Sequence, residues 1–141
     1  QNLFITLHVG LGTFASLLPE NFEKNKLFEE HFLVDARTNK KINKLKKNKK
    51  CVAVGTTVVR TLESQARGAK NKTDIFIKAP FDFKTVDSLI TNFHVPRSSL
   101  MMLVEAFLQH KKSKRNLKDL YEIAKKENFR FYSFGDAMLL I

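Results

Sequence analysis

The stretch from residue 51 to residue 67 constrains the fold of this chain more than any other. Residues 51–55 (CVAVG) form an unbroken apolar run that ends in a glycine. Such a run is typical of a strand buried on both faces, as in a parallel sheet. A tight turn at Gly55, Thr56 and Thr57 leads into the amphipathic segment VVRTLESQAR, which predicts a helix. Strand, turn and helix in this order indicate an α/β fold.

The start of this helix is a candidate binding site. In open α/β sheets the carboxyl ends of strands border the ligand crevice, and the free amides of a helix start suit a carboxylate or another anion. Thr56 and Thr57 can cap the helix and also contact a ligand. Arg60 and Glu63 are three residues apart, and the simplest interpretation is that they pair with each other on the surface.

Strands alternate with helices along much of the chain, which favours mainly parallel pairing. We predict strands over residues 3–9, 31–35 and 73–78, a helix over residues 35–45, a helix after residue 98, and a last amphipathic helix capped by Asn116. The 141 residues and the 43% hydrophobic content suit one domain with a real core.

The segment TNFHVPRSS, residues 91–99, gathers polar groups at close quarters. Pro96 stiffens it and biases the preceding residue away from helix. Ser98 or Ser99 can cap the following helix. A short polar loop at a helix start often carries ligand chemistry, although a capped loop that only joins strand to helix is the alternative. The candidate ligand-binding groups are Thr91, Asn92, His94 and Arg97.

A second candidate loop follows the first predicted strand, in the sequence HVGLGT. Gly10 and Gly12 let the backbone turn sharply or approach a ligand closely, and Thr13 adds a hydroxyl group. A plain turn is the alternative. His8 lies near an apolar run, where a lone histidine is more often a core residue than a catalyst.

The formal net charge of +11 makes nucleic acid the first partner to consider and an anionic membrane the second. No apolar stretch approaches the roughly 20 residues that span a bilayer. Cys51 is the only cysteine, so no internal disulfide can form, and a reducing cytoplasmic setting is compatible with this. No metal-binding pattern is present, so we expect no bound metal. A basic cluster that can contact phosphates or be a solvated helix end contains Lys40, Lys41, Lys44, Lys46 and Lys47.

Four blocks of the sequence resemble a known enzyme family. They are LHVGLGTF, VAVGTTVVRTLES, TDIFIKAPFDFKTVDSLITNFHVPRSSLMMLVEAF and RFYSFGDAMLLI. In this order they are similar to the S-adenosylmethionine:tRNA ribosyltransferase-isomerases of queuosine biosynthesis. The resemblance implies that residues 1–141 are the C-terminal portion of a larger α/β catalytic domain with a barrel-like sheet and flanking helices, without the family's small β-barrel domain. A family histidine pair is replaced here by Asn25 and Phe28, and the glutamate after it is retained as Glu30.

The resemblance also implies an activity. The ribosyl part of S-adenosylmethionine is transferred to 7-aminomethyl-7-deazaguanine in the wobble position of a tRNA anticodon and is isomerised to give epoxyqueuosine-tRNA, with release of adenine and methionine. S-adenosylmethionine is then a co-substrate, and no prosthetic group is implied. We expect a cytoplasmic protein, a monomer, without a membrane partner.

This chemistry needs groups that the sequence can supply. A base must remove a proton from the carbon beside the sulfonium, and His94 is the first candidate because imidazole titrates near neutral pH; Asp74 or Glu63 is the alternative. Adenine must be protonated as it leaves, and Asp136 or His8 can serve.

The remaining predicted site residues would hold the substrates. The ribose hydroxyls and the methionine carboxylate need donors, and an aromatic face can stabilise the sulfonium; Phe93 and Phe81 are candidates for the latter. An RNA base can stack on an aromatic ring. The predicted substrate contacts are His8, Gly10, Gly12, Thr13, Gly55, Thr56, Thr57, Arg60, Thr91, Asn92 and Phe93. The predicted RNA contacts are the five lysines of the basic cluster and Arg97.

Two alternative functions remain open. A non-catalytic RNA-binding module would need only an exposed basic stripe, whereas an enzyme needs Asn92, His94 and the Gly55 turn to converge on one pocket. A nucleotide-binding α/β domain of unrelated function would need only the strand, turn and helix around Gly55.

Overall fold

The predicted alternation of strands and helices is confirmed. The computed structural model describes residues 1–10, 17–45 and 49–141. In chain order the elements are β1 (Thr6–His8), α1 (Pro19–Lys24), β2 (Lys26–Leu33), α2 (Ala36–Leu45), β3 (Val52–Val54), α3 (Thr56–Gln65), β4 (Lys72–Ile75), β5 (Ser88–Asn92), α4 (Ser99–His110), α5 (Leu117–Lys126) and β6 (Ala137–Leu140).

The strands form two small sheets, with orders β1-β2-β4 and β3-β5-β6. In the described ranges only β3 and β5 pair in parallel, while β1–β2, β2–β4 and β5–β6 are antiparallel. The prediction of mainly parallel pairing in a barrel-like sheet is therefore wrong for this part of the chain, and the fold is mixed α/β. The apolar run that suggested parallel pairing encodes burial, but not the partner or the direction of the strand.

Strand β3 is buried on one face only, which corrects the prediction of two buried faces. Ala53 is fully buried, whereas Val52 and Val54 are 51% and 65% exposed. Ala53 pairs with Leu89 of β5, and Leu89 pairs with Leu140 of β6, so these three side chains lie on the same face of the sheet. That face joins the hydrophobic core.

Helices α4 and α5 supply much of that core. Leu103, Val104 and Phe107 of α4 and Leu117 and Tyr121 of α5 are buried, as their helical spacing predicts. Each helix also has the predicted cap. The side chain of Ser98 accepts a hydrogen bond from Met101 N at 3.2 Å, and that of Asn116 accepts from Asp119 N at 2.9 Å.

Helix α3 contacts strands of both sheets, namely β1 and β4 of the first and β3 and β5 of the second. Because α3 is covered on more than one side, both polar and apolar residues of this helix are buried. Arg60 is 2% exposed and Glu63 is fully buried. The prediction that Arg60 and Glu63 pair with each other on the surface is wrong, since each pairs elsewhere: Arg60 with Glu30 and Glu63 with Arg67.

Candidate active site

The parallel pair β3–β5 places two predicted site segments at one edge of the second sheet. Gly55 directly follows β3, and its N–H donates to Ile90 O of β5 at 2.8 Å. Asn92 ends β5 and pairs with Ala137 at the start of the antiparallel β6. Its Nδ2 also donates to Asp136 O at 3.2 Å. The Gly55 turn, Asn92 and Asp136 therefore lie on neighbouring strands at the same edge.

A cleft of about 850 Å³ opens beside the end of β5. Loop residues 92–98 form much of its wall, and apolar contributions come from Phe22, Leu100 and Met102. Tyr132 and Ser133, from the turn before β6, also line the cleft. Its polar groups are supplied by Asn92, His94, Arg97, Ser98, Tyr132 and Ser133. The Gly55 turn and Asp136 lie at the same sheet edge but do not line this cleft, so the expected convergence is found only for Asn92 and His94. An apolar cleft with a few convergent polar groups is the usual form of a small-molecule site.

His94 is fixed in this cleft by two hydrogen bonds. Its ring Nε2 is 2.8 Å from the Oγ1 of buried Thr91, and its backbone N–H donates to the Tyr121 hydroxyl at 2.7 Å. Burial lowers the pKa of His94 below its ordinary value of 6.5. The imidazole is therefore neutral at pH 7 and can accept a proton.

Phe93 supports the cleft from the core side. The residue is only 4% exposed, and its ring packs against Tyr121 and Phe131 with centroid distances of 5.4 and 4.8 Å. Its backbone carbonyl accepts a hydrogen bond from Tyr132 N at 3.0 Å. Phe93 thus fixes the position of the cleft wall, and most of its ring is unavailable for stacking on a ligand. The alternative aromatic, Phe81, packs against Phe83 at 4.8 Å and does not line the cleft.

Asp136 is held by an ion pair on the turn before β6. Its Oδ1 accepts from the Arg130 guanidinium at 2.7 Å, and its Oδ2 accepts from Arg130 N at 2.8 Å. The Arg130 guanidinium lowers the pKa of this carboxyl group below its ordinary value. Asp136 is consequently a carboxylate near neutral pH.

Glu30 binds both Arg60 and Gly10, although the predicted site did not include it. Glu30 accepts from Gly10 N at 3.0 Å through Oε1 and from the Arg60 guanidinium through Oε2. Glu30 is 3% exposed. The retention of this glutamate in the family resemblance was the available signal for its role. His8 is exposed on β1 opposite His31, and Gly12 and Thr13 lie outside the described residues.

The structure does not bring the two alternative bases to the His94 cleft. Glu63 binds Arg67 at 2.6 Å and accepts backbone hydrogen bonds from Lys84, Thr85 and Val86 at 2.8–3.1 Å. Asp74 pairs with Lys26 at 2.6 Å and lines a separate groove of about 600 Å³.

The start of α3 differs from the prediction. Gly55 is the N-cap residue, at φ +95°, and no side chain caps the helix. The expectation that Thr56 or Thr57 caps α3 is therefore wrong, because both residues already belong to its first turn. Thr56 is 5% exposed and Thr57 is partly exposed.

The predicted RNA contacts lie on exposed surfaces where they are described. Lys40 and Lys44 of α2 are exposed and Lys41 is partly buried, and Arg97 is exposed at the cleft. None of the ion pairs between described residues involves α2. Lys46 and Lys47 lie outside the described residues.

Neither a metal site nor a membrane-spanning helix is found in the described part of the chain. Within residues 1–10, 17–45 and 49–141, no three His, Cys, Asp or Glu side chains are grouped so that they could hold a metal ion. Among the helices in those ranges, none has the length and apolar character to span a bilayer.

A mixed α/β chain with a histidine-bearing cleft at the carboxyl end of a parallel strand pair has the architecture of a ligand-binding α/β protein. Comparison with known proteins defines the class further. The family model described as queuosine biosynthesis protein matches residues 1–140. The chain belongs to this family.

Named relatives agree with this assignment. The chain is 51% identical, over 98% of its length, to the S-adenosylmethionine:tRNA ribosyltransferase-isomerase of Sulfurihydrogenibium sp., and 47% identical, over 97% of its length, to that of Carboxydothermus hydrogenoformans. The crystal structure of the S-adenosylmethionine tRNA ribosyltransferase of Thermotoga maritima superimposes with a TM-score of 0.69 at 45% identity, covering 79% of this chain and 40% of that one. The chain spans 41% of the length of the first two relatives.

Proposed function

We propose that this chain is part of the α/β catalytic domain of an S-adenosylmethionine:tRNA ribosyltransferase-isomerase. The enzyme transfers the ribosyl part of S-adenosylmethionine to 7-aminomethyl-7-deazaguanine in tRNA, isomerises it to epoxyqueuosine and releases adenine and methionine. The observation that carries the proposal is the cleft at the end of β5, where Asn92 and His94 come together in a chain of this family.

His94 is the proposed general base. A proton must leave the carbon next to the sulfonium, and a neutral imidazole can take it. When Nε2–H donates to Thr91 Oγ1, 2.8 Å away, Nδ1 is left as the basic nitrogen. Thr91 therefore positions the imidazole ring, and the Tyr121 hydroxyl holds the backbone of His94 in place. Glu63 and Asp74 are weaker candidates because they bind other groups away from the cleft.

Asp136 suits a positioning role better than proton donation. Its pKa is lowered by Arg130, so it carries no proton to give to the leaving adenine near neutral pH. Its carboxylate is bound by Arg130, and its backbone carbonyl accepts a hydrogen bond from Asn92, so Asp136 would fix the position of Asn92 at the edge of the cleft. His8, the other proton donor that the sequence suggested, is exposed on β1 and does not line the cleft.

The polar groups around the sheet edge are the proposed substrate contacts. Asn92 and the amides at the start of α3 would hold the ribose hydroxyls or the methionine carboxylate. Arg60 would not contact the substrate directly, because its guanidinium is bound to Glu30. Through Glu30 it connects α3 to the residues around Gly10. S-adenosylmethionine is a co-substrate in this proposal, with no prosthetic group.

The proposed RNA partner is the anticodon arm of tRNA. Helix α2 has no acidic residue, and its lysines Lys40, Lys41 and Lys44 are not engaged in ion pairs with other described residues. Such cations are free to displace counterions from phosphates. The names of the relatives support an enzyme over a non-catalytic RNA-binding module. We propose action in the cytoplasm, as a monomer, where tRNA is available.

The test is an assay of adenine release. The protein that carries this chain is incubated with S-adenosylmethionine labelled in adenine and with tRNA bearing 7-aminomethyl-7-deazaguanine. Free labelled adenine and ribosylated tRNA are the expected products. The same tRNA with guanine in the wobble position is the control and should release no adenine. Transfer of a labelled methyl group to the tRNA, without adenine release, would contradict the proposal.

A further inference from the structure

The turn between α5 and β6, residues 129–136, is unusually well fixed for a surface loop. Asp136 binds both the backbone N–H and the guanidinium of Arg130, and Asp136 N donates to Arg130 O at 2.8 Å. Gly135 N donates to Tyr132 O at 3.1 Å. A Cβ atom on Gly135 would lie 2.4 Å from Arg130 O, so the chain closes here more tightly than any other residue permits.

The same turn is attached directly to the His94 cleft. Tyr132 N donates to Phe93 O at 3.0 Å, and the side chain of Asn92 donates to Asp136 O at 3.2 Å. Phe131 packs inward on Phe93 with a centroid distance of 4.8 Å. Both ends of the turn are thus joined to residues beside His94, and its position relative to the cleft is defined.

Two aromatic side chains of this fixed turn point outward. Tyr132 lines the cleft and is 53% exposed, and Phe134 is 98% exposed. Tyr132 adopts a left-handed conformation with φ +68°, which is rare for a bulky residue and is found where the surroundings enforce it, often at ligand sites. Within the described residues, the fixed backbone leaves both aromatic side chains uncovered beside the cleft.

We propose that Tyr132 and Phe134 form a stacking surface for unpaired bases of the RNA substrate, with Tyr132 at the cleft mouth and Phe134 beside it. This inference rests on the proposed function, since it assigns the RNA-base contacts of that same cleft. It concerns the RNA bases alone and is distinct from the contact of Phe93 or Phe81 with the sulfonium that the sequence suggested.

The chemistry of the surface fits single-stranded nucleic acid. Every base has a π face, and an exposed aromatic ring on a fixed backbone stacks with it at little cost in conformational entropy. Arg97, which is exposed at the cleft, adds positive charge for a flanking phosphate. When one base leaves the anticodon loop towards His94, the neighbouring bases lose a stacking partner. The aromatic side chains of the turn can take the place of that partner.

The test compares Phe134→Ala with Phe4→Ala, a matched removal of a phenylalanine that is 85% exposed outside the turn. The probe is a synthetic anticodon stem-loop RNA, used intact and with abasic nucleotides in the loop. Phe134→Ala should raise Kd for the intact RNA roughly 5- to 150-fold without changing the salt dependence of binding, since no charge is removed. Phe4→Ala should leave Kd unchanged, and Phe134→Tyr should restore it.

The abasic RNA separates stacking from other effects. It should bind the wild-type protein weakly, and Phe134→Ala should cause little further loss with it, because the base and the ring belong to one contact. Unchanged binding of the intact RNA by Phe134→Ala would overturn the inference, as would an equal loss with intact and abasic RNA. The assay of adenine release judges the proposed function separately: an active wild-type protein with an unaffected Phe134→Ala variant contradicts the stacking surface alone.

Discussion

Glu30 and Arg60 form an ion pair in which both side chains are almost completely buried. The pair joins β2 of one sheet to α3, which also contacts the other sheet. Glu30 further accepts a hydrogen bond from Gly10 N at 3.0 Å. One carboxylate therefore connects three segments that are distant in sequence, and it balances the buried charge of Arg60.

Removal of either partner should be strongly destabilising. Glu30→Ala leaves the Arg60 guanidinium in a dry site without this carboxylate, and we expect a loss of about 3–5 kcal/mol in the free energy of unfolding, measured by urea denaturation. The control is Glu29→Ala, which breaks the exposed pair with Lys72 and should cost no more than about 1 kcal/mol. Equal losses for the two substitutions would show that the buried pair contributes no more to stability than an exposed pair.

We expect Glu63 to stabilise the folded chain and not to take part in catalysis. Its carboxylate accepts three backbone N–H groups, from Lys84, Thr85 and Val86, and binds Arg67. Glu63→Gln places an amide N–H₂ among these donors, so we expect a loss of about 3 kcal/mol or more in the free energy of unfolding. Measurement of adenine release by the folded fraction separates the two roles, since a catalytic base would lose turnover even when folded.

His94 should determine the pH dependence of turnover. Its pKa lies below 6.5 because the ring is buried, and only the neutral form can accept a proton. We expect kcat to be constant through neutral pH and to fall as the pH drops through this lowered pKa. His94→Ala should reduce kcat by about 10²- to 10⁴-fold with the fold intact. Near-normal turnover in that variant would remove His94 from the catalytic set.

Thr91→Val tests the positioning of the same imidazole. Loss of the hydroxyl group removes the partner of Nε2 at 2.8 Å, so the imidazole ring is held less firmly. We expect a lower kcat with little change in KM for S-adenosylmethionine and an altered pH profile. Thr91→Ser keeps the hydroxyl group and should restore both. A purely structural role would change stability but not the pH profile.

The lysines of α2 should contribute to the salt dependence of RNA binding. The binding constant K for RNA falls as salt rises. Substitution of Lys40 and Lys44 by glutamine should make the plot of log K against log salt concentration less steep, by about 0.7–0.9 for each phosphate that the helix no longer neutralises. Lys125→Gln is the matched control, because Lys125 is already paired with Glu122 at 2.8 Å on α5. An unchanged slope in the double variant would exclude α2 from the RNA-binding surface.

Local sequence signals gave most of the elements and caps. Gly55 after the apolar run marked the start of α3, and Ser98 and Asn116 begin α4 and α5 because their side chains satisfy the free amides of the first turn. The polar loop that contains His94 was predicted as a ligand site, and the structure places it in a cleft. Its proposed catalytic role stays a prediction until turnover is measured.

Longer-range features were not accessible from the sequence. Arg60 and Glu63 stand at a spacing that favours a surface pair, but α3 is covered by both sheets and the two residues pair with Glu30 and Arg67 instead. Strand direction was also mispredicted, because the apolar content of a segment reports burial and carries no information about its neighbour. Tyr132 did not enter the predicted site, since alternating aromatics do not reveal which of them face water.

The sequence by itself determined where α3, α4 and α5 begin, the apolar faces of α4 and α5, and the family, because capping, periodicity and motif order are local properties of the chain. Only the tertiary structure decided the antiparallel pairing, the burial of the Glu30–Arg60 pair and the meeting of Asn92, His94 and the Tyr132 turn at one cleft. These features depend on the packing of segments far apart in sequence. The arrangement of lowest free energy is the one that best buries the whole core, whatever any one segment prefers by itself.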